Sequence, residues 1–468
     1  MSYRVRQIAP ESKLCHECSL ETLAQVISQE EILEVLYQQG AFEQRERRLN
    51  MMSTISTLMA MSLYAEQSMA EVLETVMHAA RQMWPQEQEE QAMVAGKSAL
   101  SYRRKHLGAK PLQELFHRIA RPLATPQTPG AFALGYRLMA IDSTVEAVPD
   151  TPANAKAFGR LTSGKGACAF PQVRGIYLQE CGSHAIVDAG FWPCRPNEQL
   201  GAYRLLRSLT AQMLVMMDSG FHGYPFLHAV DTTGAKLLAR LPSEDAPEII
   251  TTLDDGSMLA RLRPSDKTLR KQAAPVLVRI IEYTFNEPTW PGYGEPHRLV
   301  TTLLDPVQAP AITLIELYHE RWEIELSIDE IDTHQRLLPR TLRSLTPMGV
   351  MQELFGCVLV HYAVRALMLQ AASHEEGLDV DRLSFTHALC TVKRYLPDFQ
   401  RAEPQDLPML SRRMHQDLRD KRLPPRRLRS NPRVIKRRSS KFDTKRSSHL
   451  HPPQPKKGTT FRDLILLI

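Results

Sequence analysis

The stretch "QMLVMMD", Gln212 to Asp218, decides the fold. Its centre is apolar without alternation, as in a strand covered on both faces inside a sheet. It stops at Asp218, before the turn-like "SGFHGYP". Upstream, "NEQLGAYRLLRSL" reads as an amphipathic helix, and "PQVRGIYLQE" and "SHAIVDAGFW" as strands joined in a hairpin near Cys181–Gly182. "YRLMAID" reads as a further strand ending at Asp142. The order strand, strand, strand, helix, strand predicts an α/β core whose first part covers 135–225. Asp142 and Asp218 each close a predicted strand, at the edge where open α/β sheets bind ligands. An aspartate there is commonly only a turn former or helix cap, so the pair needs support from elsewhere.

Downstream, "FLHAVDTT", "SMLARLRP", "VLVRIIEYTF" and "HRLVTTLL" read as strands, predicting an all-β insertion over 226–308. Then "APAITLIELYHERWEIELSIDEIDTHQRLL" reads as one long helix and "MGVMQELFGCVLVHYAVRALMLQAA" as a second, apolar one, together 309–375. At about 100° per residue, Tyr318, Arg321, Glu325 and Asp332 fall within about 60° of one another, with Asp329 on the same stripe. Glu325 can be a third metal-ligating carboxylate beside Asp142 and Asp218. The planar fork of Arg321 suits a phosphate oxygen, and Tyr318 can stack on a base or bond a phosphate. A salt-bridged solvent face, with Arg321 and Glu325 as an i, i+4 pair worth a few tenths of a kcal/mol, fits the periodicity equally well. Three carboxylates would suit two Mg²⁺ ions, with Mn²⁺ as a substitute, about 3.5–4 Å apart, serving an in-line phosphoryl displacement.

The first 125 residues read as helical. They include "RRK", Arg103, Arg104 and Lys105, a basic turn that suits DNA contact and equally an ordinary helical bundle. "MMSTISTLMAMSLYA" is too short and too rich in Ser and Thr for a bilayer span and reads as a buried helix. The start lacks the apolar region of a signal peptide. Seven scattered cysteines fit free thiols in a reducing cytosol, and Cys15 and Cys18 form a lone C-x-x-C without a second pair. The formal charge of +6 hides an asymmetry. Between Lys421 and Lys457, 14 Lys and Arg face one acid, Asp443, so the rest of the chain is net acidic. This run, within a C-terminal region 376–468, reads as a disordered tail that seeks a polyanion; a solvated tail with no partner is the bland alternative.

Three other signals are weaker. "GRLTSGKG", Gly159 to Gly166, has P-loop spacing but ends in Gly where Ser or Thr should hold Mg²⁺, so no nucleotide cofactor is expected. His222 and His319 lie near the carboxylates, but hard-ion sites prefer oxygen. Trp290 reads as a packing residue rather than a DNA-stacking one.

Tyr318-x2-Arg321-x3-Glu325, set in "LYHERWEIE", resembles the YREK signature of DDE transposases of the insertion-sequence-four group. "AIDSTVEAVPDTPANAKAFGR" resembles the segment around their first catalytic aspartate, and "MMDSGF" the second. "TLRSLTP", "QELFGCVLVHYAVRALM", "GKSALSYRRKHLGAKPL" and "NPRVIKRRSSKF" also look familial, so the resemblance spans about 20 to 445. It implies an RNase H-like core, a β insertion before the catalytic glutamate and a helical N-terminal DNA-binding domain, 1–125. It further implies a homodimer acting on transposon ends and target DNA, by two-metal cutting and strand transfer at Asp142, Asp218 and Glu325. Tyr318 and Arg321 would grip phosphate near the cut. The signature's Lys is here Asp332, and Ser219 stands where relatives often have Arg. The sequence therefore predicts weakened end binding and reduced activity, with Arg336 as a compensating DNA contact. A catalytically impaired inhibitor of transposition and a nuclease of the same fold remain open alternatives.

Overall fold

The computed structural model describes residues 20–42, 49–81, 97–163, 166–195, 198–242, 245–264, 266, 273–288, 290, 293–337, 341–425 and 458–468. Cys15, Cys18, Lys165 and most of the basic run, 426–457, lie outside them. The helices are α1 Gln29–Gln38, α2 Met51–Leu63, α3 Met69–Arg81, α4 Lys97–Leu107, α5 Lys110–Ile119, α6 Pro152–Phe158, α7 Glu198–Ala202, α8 Tyr224–Thr232, α9 Ala311–Glu320, α10 Trp322–Asp329, α11 Pro347–Ser373, α12 Phe385–Arg401 and α13 Leu407–Asp420. The strands are β1 Phe132–Ala133, β2 Tyr136–Ala147, β3 Thr162–Ser163, β4 Gly166–Ala167, β5 Gln172–Glu180, β6 Ile186–Pro193, β7 Met213–Met217, β8 Lys236–Arg240, β9 Glu248–Thr252, β10 Met258–Leu262, β11 Val276–Phe285, β12 His297–Thr301 and β13 Ile465–Leu467. The fold is mixed α/β. Packing divides it into two compact units, each assembled from non-consecutive segments.

The first unit comprises Met1–Phe132, Met139–Ser208 and Glu323–Leu423. Its strands β2, β5 and β6 form an antiparallel array, with Asp142 opposite Tyr177. The expected hairpin between β5 and β6 is present and turns on Gly182, at φ +79°. A Cβ there would lie 2.6 Å from the Pro129 carbonyl, so both the dihedral and the close approach require glycine. β2 runs on through Ala147, because β5 pairs with it along that length. Asp142 is therefore inside a strand, not at its end.

Helix α11 is the axis of this unit, and α2, α5, α12 and α13 pack on it. The N-terminal helices thus share a core with a late segment of the chain. α11 is long and apolar enough to cross a membrane, but 89% of its most apolar window is buried inside the protein. All of α2 is buried, as the sequence suggested. Its hydroxyls can be buried because Thr54 and Thr57 donate to Asn50 and Ser53 carbonyls at 2.8 and 2.7 Å. Gly356 of α11 lets the helices approach: a Cβ would sit 2.9 Å from the Leu58 carbonyl oxygen.

The second unit comprises Ala133–Leu138, Leu209–Trp322 and Pro424–Ile468. It holds a large mixed sheet in the order β7-β8-β12-β11-β10-β9, with β13 added on β11. β7 is buried throughout, as its apolar run requires. β7 and β8 are parallel. Parallel neighbours need a crossover, and α8 supplies it. "FLHAVDTT" is therefore helical rather than the strand expected from its apolar residues. The chain then returns through the antiparallel β9–β12 meander. "NEQLGAYRLLRSL", in the first unit, is only the short α7 and one 3₁₀ turn, Leu205–Ser208.

Candidate active site

The stretch expected as one long helix is broken. α9 ends at Glu320, its C-cap Arg321 donates its amide to the Tyr318 and His319 carbonyls, α10 comes next, and Glu330–Gln335 is a π-helical turn. A π turn inserts an extra residue per turn and moves the residues beyond it off the 100° stripe. Tyr318 and Arg321 lie in the second unit and Glu325 and Asp332 in the first.

In the first unit Asp142 is half-buried on β2, and its Oδ1 accepts the Ser143 amide at 2.7 Å. Ser143 donates to Glu198, which Arg174 approaches at 3.3 Å. Thr144 and Glu146 lie beyond Asp142 at the two-residue period of one strand face. Arg336 pairs with Glu146, and with Asp332 at 3.3 Å. Thr144 Oγ1 is 3.4 Å from Asp332 Oδ2. Asp332 is 8% exposed. Burial pushes its carboxyl up to about 7 against the pull of Thr144. The π turn thus places Asp332 inside the protein, against Arg336 and Thr144. Arg336 is likewise buried and paired within the protein, so it is not placed as a compensating DNA contact.

Glu325 is half-buried on α10. Two residues on, Ser327 Oγ lies 3.3 Å from His184 Nδ1. His184 is 1% exposed, sits at φ +59° in the β5–β6 turn, and pairs through Nε2 with Asp381 at 2.7 Å. Glu330 binds Arg365 and, at 3.1 Å, His361. Burial opposes the Glu330 charge, but Arg365 and His361 overcome it and bring the pKa down to about 2. The π turn after the glutamate helix is therefore anchored by a buried ion pair.

In the second unit Asp218 directly follows β7 and caps the Ser219–Phe221 turn by accepting the Gly220 amide at 2.8 Å. Burial pushes the Tyr318 hydroxyl up to about 12, with Arg321 opposing and Asp218 adding to the rise. Arg321 is itself 6% exposed, as buried as Arg104, and its guanidinium lies 5.8 Å from the Tyr318 ring centroid. Tyr318, Arg321 and Asp218 therefore share one electrostatic neighbourhood. The His222 Nδ1 meets the Ser219 carbonyl within its own turn. Trp290 packs against Phe285 and Phe461.

The basic turn needs correction too. Arg103 and Arg104 are 7% and 6% exposed. Arg103 donates to the Leu49 carbonyl at 2.7 Å, and Arg104 to Gln352, Ser344 and the Gly349 carbonyl. They tie α4 into the core, leaving Lys105 exposed. Among the described residues, no group of three or more His, Cys, Asp and Glu side chains gathers as a metal cluster. Sequence reasoning missed Glu146, four residues after Asp142 on the same strand face, and the Glu330–Arg365–His361 network. The first was visible from strand periodicity; the second joins residues more than thirty positions apart and left no local signal.

Two family models match this chain: the insertion element 4 transposase N-terminal region over residues 17–117, and the transposase DDE domain over 133–362. The chain is 30% identical over 436 residues to the transposase InsG for insertion sequence element IS4 of Escherichia coli K12, covering 91% of this chain and 94% of that protein. It is 26% identical over 172 residues to the putative transposase InsZ of the same organism, covering 36% of this chain and 58% of that one. A solved piggyBac transposase synaptic complex with hairpin DNA aligns over 86% of this chain and 84% of its own, with 11% identity and a TM-score of 0.41. The chain belongs to the insertion-sequence-four family of DDE transposases.

Proposed function

We propose that this transposase cuts DNA at the ends of its insertion sequence and joins the freed 3′-hydroxyl to target DNA, with Asp142, Asp218 and Glu325 as the catalytic carboxylates on an RNase H-like core. One observation carries the reading. The DDE-domain match, 133–362, contains all three carboxylates together with Tyr318 and Arg321.

The donor set fits a hard divalent cation: carboxylate oxygens are what Mg²⁺ and Mn²⁺ prefer. Asp142, Asp218 and Glu325 would hold two such ions, which when bound polarise the scissile phosphate and stabilise the charge of displacement. In cutting, a water oxygen attacks phosphorus and the 3′-oxygen leaves. In joining, that 3′-hydroxyl attacks a target phosphorus and a target 3′-oxygen leaves. Arg321 and Tyr318 orient the end phosphate beside Asp218. Lys105 and the basic run from Lys421 contribute screened backbone contacts. Two copies act on paired ends, in the bacterial cytoplasm at the nucleoid.

Incubating the protein with Mg²⁺ and DNA bearing the sequences that flank its coding region tests this. Nicking at the end that is lost in Asp142→Ala supports an enzyme; no nicking with retained binding supports a DNA-binding inhibitor instead. Joining of a pre-cut end to a plasmid distinguishes the transposase from a nuclease of the same fold.

A further inference from the structure

Residues 458–468 return to the sheet of the second unit. β13 adds to β11 in antiparallel register, Tyr283 opposite Leu467 and Phe285 opposite Ile465. Asn286 donates to the Leu464 carbonyl at 3.0 Å and Ile468 to that of Glu282 at 3.1 Å. Leu464 is 2% exposed. Asp463 accepts from the Thr460 amide and hydroxyl, both at 2.8 Å, and shapes the approach to the strand.

This segment also grips α9. The Phe461 ring lies stacked on His319, with centroids 3.9 Å apart and planes 15° apart. Phe285 and Trp290 close around Phe461 at 5.8 and 6.3 Å. Arg462 reaches Glu316 at 3.5 Å. Glu316 and His319 are one turn apart on α9, so both contacts fall on one side of the helix. Tyr318 is the adjacent residue.

We propose that residues 458–468 form a clasp that fixes the rotation and height of α9, making Phe461 and Arg462 positioning residues for the Tyr318–Arg321 phosphate grip. The proposal rests on the end-cutting function above. Two chemically different contacts on one helix face, plus a strand pairing, over-determine the segment's place beside Tyr318. A solvated tail needs none of them.

The test uses the full chain, with single-turnover cleavage of Mg²⁺-activated end DNA, end affinity and melting measured side by side. Losing an aromatic stack should lower the cleavage rate of Phe461→Ala by about two- to tenfold, with affinity for non-end DNA unchanged. Phe461→Tyr should retain the rate. Arg462→Ala, at an exposed position that cannot unfold the core, should lower the rate more weakly and add nothing to the defect of Glu316→Ala. Wild-type rates in both Phe461→Ala and Arg462→Ala overturn the clasp while leaving the function intact. Absence of cleavage by the wild-type protein overturns the function, and the clasp with it.

Discussion

Glu330→Gln is the most informative single change for the scaffold beneath the glutamate helix. The substitution keeps the side-chain volume, so no cavity forms, but it removes the charge and replaces one accepting oxygen with a donor facing Arg365 or His361. Glu330 is held by Arg365 and His361, and its pKa falls from the ordinary carboxylate value of 4.5 to about 2. At 1.36 kcal/mol per pKa unit, that shift corresponds to about 3 kcal/mol of stability at neutral pH. Removing one partner of a buried pair typically costs about 3–5 kcal/mol, in agreement. Because the folded-state pKa is depressed, this stability is fully present above about pH 4.5 and is lost as pH falls toward 2. At pH 3 the difference between wild type and Glu330→Gln should therefore shrink to between about 1 and 2 kcal/mol. Urea unfolding of both proteins at pH 7 and pH 3, monitored by far-ultraviolet circular dichroism, reads it directly. A difference below about 1 kcal/mol at pH 7, or one that does not shrink in acid, would refute the claim that this ion pair anchors the π turn.

Gly356→Ala should destabilise the protein by about 1–3 kcal/mol through overpacking against the Leu58 carbonyl, read as a lower urea midpoint. Asp332→Lys should not restore end joining: a second cation beside buried Arg336 should cost about 3–5 kcal/mol, and a gain in joining with unchanged stability would contradict the internal placement of this residue. Deleting residues 426–457 should flatten the dependence of log affinity on log salt by about 0.9 for each DNA phosphate that these residues neutralise; a filter-binding series with an unchanged slope would exclude them from the DNA interface.

The candidate residues stood out because the strings that carry them are short and local. The apolar β7 run marked a buried strand, whereas the single helix face expected for Tyr318, Arg321 and Glu325 is interrupted after α9. What was misread depended on partners distant in sequence. The α8 segment looks like a strand until β7 and β8 are known to be parallel. β2 looks finished at Asp142 until β5 is laid beside Ser143–Ala147. Arg103, Arg104 and Arg336 look like a nucleic-acid surface, but each has carbonyl or carboxylate partners within the fold. A cation count cannot separate solvated charge from internally paired charge. Residues 458–468 read as the end of a tail because nothing local shows that β13 returns to β11.

The most direct measurement is metal-dependent cleavage of end-bearing DNA by wild type, Asp142→Asn, Asp218→Asn and Glu325→Gln, with end affinity and Mn²⁺ binding measured in the same samples. The account predicts that all three variants still bind the ends, bind Mn²⁺ more weakly and fail to cut. Wild-type cutting by any one of them, or undiminished Mn²⁺ binding by all three, would contradict a shared carboxylate site.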